Sequence, residues 1–94
     1  MNKEDIYNKL TKLLRDRGAI KIAVFGSYIK GKEHPDSDID VIVEFSERKS
    51  LLDLIGIEQE ISELLGIKVD LLTEKSISPY LIDHVKQEMV VLYQ

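Results

Sequence analysis

The sequence has no cysteine, so disulfide staples and thiolate metal sites are excluded, and any bound metal must take oxygen or histidine ligands. Only two prolines and five glycines occur, and no stretch reads as a linker, an internal repeat or a low-complexity tract. No apolar run approaches the ~20 residues that a membrane-spanning helix needs. Met1-Asn2-Lys3-Glu4-Asp5 opens a charged amphipathic stretch rather than an apolar signal region. A cytoplasmic protein without membrane contact is therefore expected. Positive charge is also in short supply. The net charge of −4 argues against tight, sequence-independent binding to a long nucleic acid through many phosphate contacts.

What is present is an ordinary globular composition, 44% hydrophobic and 32% charged over 94 residues. Residues 1–94 are expected to form a single small domain, large enough to bury somewhat over ~60% of its unfolded-chain surface. The charges are unevenly spread. Residues 1–32 carry eight Lys or Arg against three Asp or Glu, whereas residues 33–94 carry five against fourteen. The two halves could meet at one site, although each charge taken singly is as well explained by a solvated surface.

Ile6, Leu10, Leu13 and Leu14, with Tyr7 beside them, follow helical spacing, and Gly18 stands where a helix C-terminus is expected. Ile20 to Phe25 is short, β-branched and aromatic between Gly18 and Gly26, which predicts a strand. Residues 26–37 read as a turn with room for a short helix after Gly26. A second strand is predicted from Asp38 to Phe45. Ser50 precedes a long helical pattern of Leu51, Leu54, Ile55, Glu58, Ile61, Leu64 and Leu65 that ends at Gly66. Ile67 to Leu72 reads as a strand, Ser78-Pro79 as the start of a helix with Leu81, Ile82, Val85 and Met89 on its apolar stripe, and Val90 to Tyr93 as a last short strand. This order predicts an α/β (α+β) fold, a small mixed sheet packed against helices. Both later helices are expected to serve the core, with part of an apolar face left for another chain.

Asp is disfavoured in strands, yet Asp38 and Asp40 alternate with Ile39, Val41, Val43 and Phe45. Period two places both carboxylates on one face about 7 Å apart. Two carboxylates so close repel, and a hard divalent cation removes the conflict. Mg²⁺ binds one or two carboxylates together with substrate phosphates, so the ligand set suits phosphoryl chemistry. Asp70, in Val69-Asp70-Leu71-Leu72, is the natural third member of the cluster. The spacing by itself is equally consistent with an edge strand charged against aggregation. A lone Asp70 would be an ordinary outer-face residue.

Two other motifs come close and fail. Asp36-Ser37-Asp38-Ile39-Asp40 imitates the opening of an EF-hand loop, but Val41 stands where that loop needs Gly and no helix pattern leads into Asp36. Gly26 to Lys32 reads G-x-x-x-x-G-K like a P-loop, but Glu33 replaces the Ser or Thr that would bind Mg²⁺, and Gly31 would interrupt the following helix. What remains is a Gly26-Ser27 pair directly after a strand. There Gly allows close approach of a ligand, and N–H groups at a helix start plus the Ser hydroxyl would suit a triphosphate tail. A Gly-Ser pair that merely ends a strand and caps a turn is the plain alternative. Lys30 and Lys32 could meet the triphosphate or lie on the surface. Tyr28 could stack near a nucleotide or pack locally, and His34 and His84 lack metal-like spacing.

Gly26-Ser27-Tyr28-Ile29-Lys30-Gly31 followed by Pro35-Asp36-Ser37-Asp38-Ile39-Asp40 resembles the G-S … D-x-D signature of the DNA polymerase β nucleotidyltransferase superfamily. Within it, the chain looks like the minimal nucleotidyltransferases, the MNT antitoxin partners of HEPN ribonuclease toxins, over nearly its whole length. The resemblance implies a polymerase β palm-like fold and a transfer of NMP, with AMP from ATP as the family's usual group, onto a tyrosine of a HEPN toxin. It implies that Gly26 and Ser27 hold the β and γ phosphates, that Asp38 and Asp40 bind two Mg²⁺ ions, and that Asp70 is the third carboxylate, binding one ion and helping to activate the acceptor hydroxyl. Where the family usually has Ala-Arg-Gly this chain has Ile29-Lys30-Gly31, which keeps positive charge without a bidentate fork. A binding antitoxin with a vestigial nucleotide site is the alternative reading. An RNA nucleotide-adding enzyme is disfavoured by the net charge and by the missing RNA-binding domain.

Overall fold

The computed structural model describes residues 2–25 and 39–94. Helix α1 (Lys3–Asp16) opens on Asn2, whose Oδ1 accepts the Asp5 N–H at 2.8 Å, and Glu4 and Asp5 place negative charge in its first turn. It ends at Arg17. Gly18 follows with φ 93°, a left-handed conformation that a side chain would strain, and its N–H donates to Arg15 O at 2.9 Å. The chain reverses into strand β1 (Ala19–Phe25), then β2 (Ile39–Phe45), helix α2 (Leu51–Leu65), β3 (Val69–Leu72), a 3-10 turn at Glu74–Ser76, helix α3 (Pro79–Glu88) and β4 (Val90–Tyr93). Ser50 and Asp53 form a reciprocal capping box at the start of α2. Gly66 closes that helix at φ 71°, its N–H donating to Ser62 O at 2.9 Å.

The four strands form one sheet in the order β3-β2-β1-β4. β1 runs antiparallel to β2 and β4, while β2 and β3 are parallel and joined through α2. One face of the sheet carries the core. Ile22 and Val24 from β1, Ile39, Val41 and Val43 from β2, and Val69 and Leu71 from β3 meet Ile6, Leu10 and Leu14 of α1 and Ile61 and Leu65 of α2. Each such side chain taken fully out of water contributes about 1.5–3 kcal/mol.

The predicted element order holds, with the 3-10 turn as an addition. The second strand is observed from Ile39, Asp38 lying outside the described residues, and the third is shorter than expected, beginning at Val69. The expectation that both later helices serve the core needs correcting. α2 commits Ile61 and Leu65, but Leu51 and Leu52 at its start are exposed, and α3 buries no residue, with Tyr80 94% exposed. The physical reason is connectivity. The core face is already filled by α1 and α2, and α3 leads to the far edge of the sheet, where β4 pairs with β1.

Candidate active site

Alternation along β2 puts Ile39, Val41 and Val43 in the core and turns Asp40 to the opposite face, where it is half-buried. β3 repeats the pattern, with Val69 and Leu71 inward and Asp70 outward and half-buried. The parallel register sets Asp40 directly beside Asp70. Neighbouring strands run about 4.8 Å apart, so the two carboxylates leave adjacent points on one face. Each is the second residue of its strand, since β2 begins at Ile39 and β3 at Val69. Phe25, the last residue of β1, pairs with Asp40 across the antiparallel ladder. The C-terminal end of β1 and the N-terminal ends of β2 and β3 therefore converge at one edge of the domain.

Two adjacent carboxylates present an all-oxygen donor set of the kind that hard divalent cations take, so the residues fit Mg²⁺. Among the described residues no group of three His, Asp or Glu side chains gathers into a metal site. Of the predicted site residues, Gly26, Ser27, Lys30 and Asp38 lie outside the described residues, as do Tyr28, Lys32 and His34. The structure brings Asp40 and Asp70 together. Sequence spacing could not do this for Asp70, because register across a crossover is a tertiary property.

Two residues of this region were missed by reading the sequence. β3 is an edge strand, and the N–H groups of Val69 and Leu71 do not go to a further strand. Ser62 Oγ accepts from Val69 N at 2.9 Å, and Glu58 Oε2 accepts from Leu71 N at 2.8 Å. A signal was available: Glu58 interrupts the apolar stripe of α2 at a core-facing position, where a carboxylate needs a partner.

Other polar contacts among the described residues lie elsewhere on the domain. His84 Nε2 lies 3.5 Å from Glu88 Oε2 on the exposed side of α3. Glu74 joins Lys21 of β1 at 3.3 Å and Lys86 of α3 at 3.8 Å. An open groove of about 630 Å³ lies at the opposite end of β2, lined by residues that include Lys21, Phe45, Arg48, Leu54 and Glu74. It contains none of the predicted site residues.

Comparison with known proteins gives this arrangement its class. The sequence profile of the nucleotidyltransferase domain matches residues 7–92, and the chain belongs to the nucleotidyltransferase family. Its relatives are protein adenylyltransferases: protein adenylyltransferase MntA of Thermococcus cleftensis is 41% identical over 88 residues, covering 93% of this chain and 89% of that protein. A Methanocaldococcus jannaschii protein provisionally named a protein adenylyltransferase is 43% identical over 90 residues, 96% of this chain and 97% of its own length. Among solved structures, a toxin–antitoxin crystal structure with AMP-PNP matches at TM-score 0.82 and 32% identity, over 93% of this chain and 72% of that one. A complex of tri-AMPylated Shewanella oneidensis HEPN toxin with MNT antitoxin matches at TM-score 0.78 and 28% identity, over 98% and 72%. The α/β nucleotidyltransferase fold expected from the sequence is the fold observed.

Proposed function

We propose that this chain is a Mg²⁺-dependent adenylyltransferase that moves AMP from ATP onto a tyrosine hydroxyl of a HEPN-family partner and so acts as that partner's antitoxin in the cytoplasm. The observation that carries the reading is the in-register pair Asp40 and Asp70, on the face of the sheet opposite α1 and α2 in a chain with a nucleotidyltransferase profile. The partner and the transferred AMP are supported by the tri-AMPylated HEPN toxin in the Shewanella complex, and ATP by the AMP-PNP in the related one; the tyrosine acceptor rests on the family resemblance of the sequence. In this reading residues 1–94 act as one nucleotidyltransferase domain.

Asp38, Asp40 and Asp70 would hold two Mg²⁺ ions. Bound there, the metal supplies positive charge to the triphosphate and to the attacking and leaving oxygens. Gly26 and Ser27 would hold the β and γ phosphates through backbone N–H groups and a hydroxyl, with Lys30 adding charge. β1 ends at Phe25 beside Asp40, and Phe25 directly precedes Gly26 in the sequence. The acceptor oxygen attacks the α-phosphorus, and the bond from that phosphorus to the bridging oxygen breaks. Pyrophosphate leaves with the electron pair, and Asp70 helps to take the proton of the acceptor hydroxyl.

The test is incubation with the HEPN partner and ATP labelled at the α or the γ phosphate. Label from the α position, and none from the γ position, is expected on the partner. Retention of γ label alone, or of neither with Asp38 and Asp40 intact, sinks the reading. The second reading, an antitoxin that inhibits by binding alone, has its own observation in the exposed Leu51, Leu52 and Tyr80, at 74%, 80% and 94%. It wins if Asp38→Asn with Asp40→Asn still inhibits the partner fully.

A further inference from the structure

The outer edge of β3 is closed by a helix. A strand's N–H groups point alternately to its two sides, and those of Val69 and Leu71 point away from β2. They meet Ser62 Oγ at 2.9 Å and Glu58 Oε2 at 2.8 Å. The match is metrical. Four residues of helix rise about 6 Å, and two residues of strand advance about 6.6 Å, so side chains one turn apart on α2 meet successive outward N–H groups on β3. The short return after Gly66, left-handed at φ 71°, brings the strand alongside the last turns of the same helix. The residue between the two anchored N–H groups is Asp70, half-buried and in register with Asp40.

We infer that Glu58 and Ser62 are positioning residues: they fix the backbone on both sides of Asp70 so that its carboxylate stays beside that of Asp40 at the spacing a shared cation requires. This rests on the proposed role of Asp70 and deepens it. An edge strand with free outward N–H groups frays, and a carboxylate on it samples positions in which it does not share a ligand sphere with a neighbour. Glu58 acts through a charge-assisted bond to the backbone, stronger than a neutral one, and its part in the site runs through Asp70.

The experiment compares Glu58→Ala, Ser62→Ala, the conservative Glu58→Gln, and Asp70→Asn in the full chain, with two readouts that do not depend on transfer. Amide exchange by NMR should show the Leu71 and Val69 N–H groups protected in the wild type. Leu71 should lose protection in Glu58→Ala, and Val69 in Ser62→Ala, while Val24 and Val41 in the core keep theirs. Titration with Mn²⁺ followed by electron paramagnetic resonance should show affinity about tenfold to a hundredfold weaker in Glu58→Ala, the range that loss of a ligand's supporting partner produces, and within about twofold of wild type in Glu58→Gln. The rescue separates acceptor geometry from side-chain charge. Fast exchange of Leu71 in the wild type, or Mn²⁺ affinity unchanged in Glu58→Ala while Asp70→Asn lowers it, overturns the positioning role and leaves the site reading intact. Unchanged Mn²⁺ affinity in Asp70→Asn overturns the site reading and this role with it. If Glu58→Ala unfolds, Ser62→Ala, which removes only a hydroxyl, carries the same comparison at Val69.

Discussion

The two faces of the sheet are made from the same strands and answer to opposite demands. On one face Ile39, Val41, Val43 and Val69 are at most 1% exposed and packed under α1 and α2. On the other, β2 and β3 carry Asp40 and Asp70, both half-buried, and the exposed Glu44, with Ile42 buried between Asp40 and Glu44. Residues about 3.3 Å apart in the chain therefore belong to separate problems, one of packing and one of charge. Substitutions on the two faces should separate activity from stability, and the comparison is sharpest where it can fail.

The largest effect is expected on the charged face. Asp38→Asn with Asp40→Asn should cut transfer to the partner by more than about a hundredfold, since metal ligands matter at least as much as the groups supporting them. The same variant should melt no lower than the wild type, because it removes like charges from neighbouring positions. Unfolding of this variant would show that the charged face also holds the fold together. One residue away the outcome should invert. Ile39→Ala deletes a fully buried side chain and should cost about 2–5 kcal/mol in urea unfolding. A loss below this range would mean that the edge carrying the site is looser than its burial indicates.

This division of faces was largely legible in the sequence, because period two is written in Asp38-Ile39-Asp40-Val41 itself. Helix ends were legible for the same local reason. Ser50, Gly66 and Ser78 act through their own backbone and side-chain chemistry, and each sits at a helix boundary as read. What could not be read were relations between distant segments. The pairing of Asp40 with Asp70 depends on how many residues the β2-to-β3 crossover consumes, and the bonds from β3 to Glu58 and Ser62 depend on how α2 lies against an edge strand. The apolar stripe of α3 suggested burial, but a stripe does not say whether a face remains for it to cover. Gly26, Ser27, Lys30 and Asp38 rest on the motif.

α3 supplies a smaller test of the same contrast. Tyr80 is large and aromatic yet 94% exposed, so Tyr80→Ala should change stability by less than about 0.5 kcal/mol. Ile61→Ala on α2, at a fully buried position, should cost about 2–5 kcal/mol by the same urea titration. Equal losses would mean that α3 packs against the domain in solution.

The smallest effect comes from a carboxylate whose work is purely structural, and it gives the charged face a control. Asp53 accepts the Ser50 backbone N–H at 3.1 Å at the start of α2. That bond, then the Ser50 side chain, and then the charge of Lys49, hold its carboxyl below the ordinary value of 3.8. A group whose folded value is depressed adds stability above its unfolded value and loses it as pH falls through the folded one. Asp53→Asn should therefore be slightly less stable than wild type at neutral pH, by a constant margin, and the gap should close on acidification below about pH 4. Thermal melts across that range measure it, and a gap that widened in acid would contradict the assigned cause. Transfer at neutral pH should be unchanged, the reverse of the Asp38 and Asp40 variant. A carboxylate that costs stability and spares activity when amidated, set against a pair that spares stability and costs activity, separates capping from catalysis with one atom exchanged in each side chain.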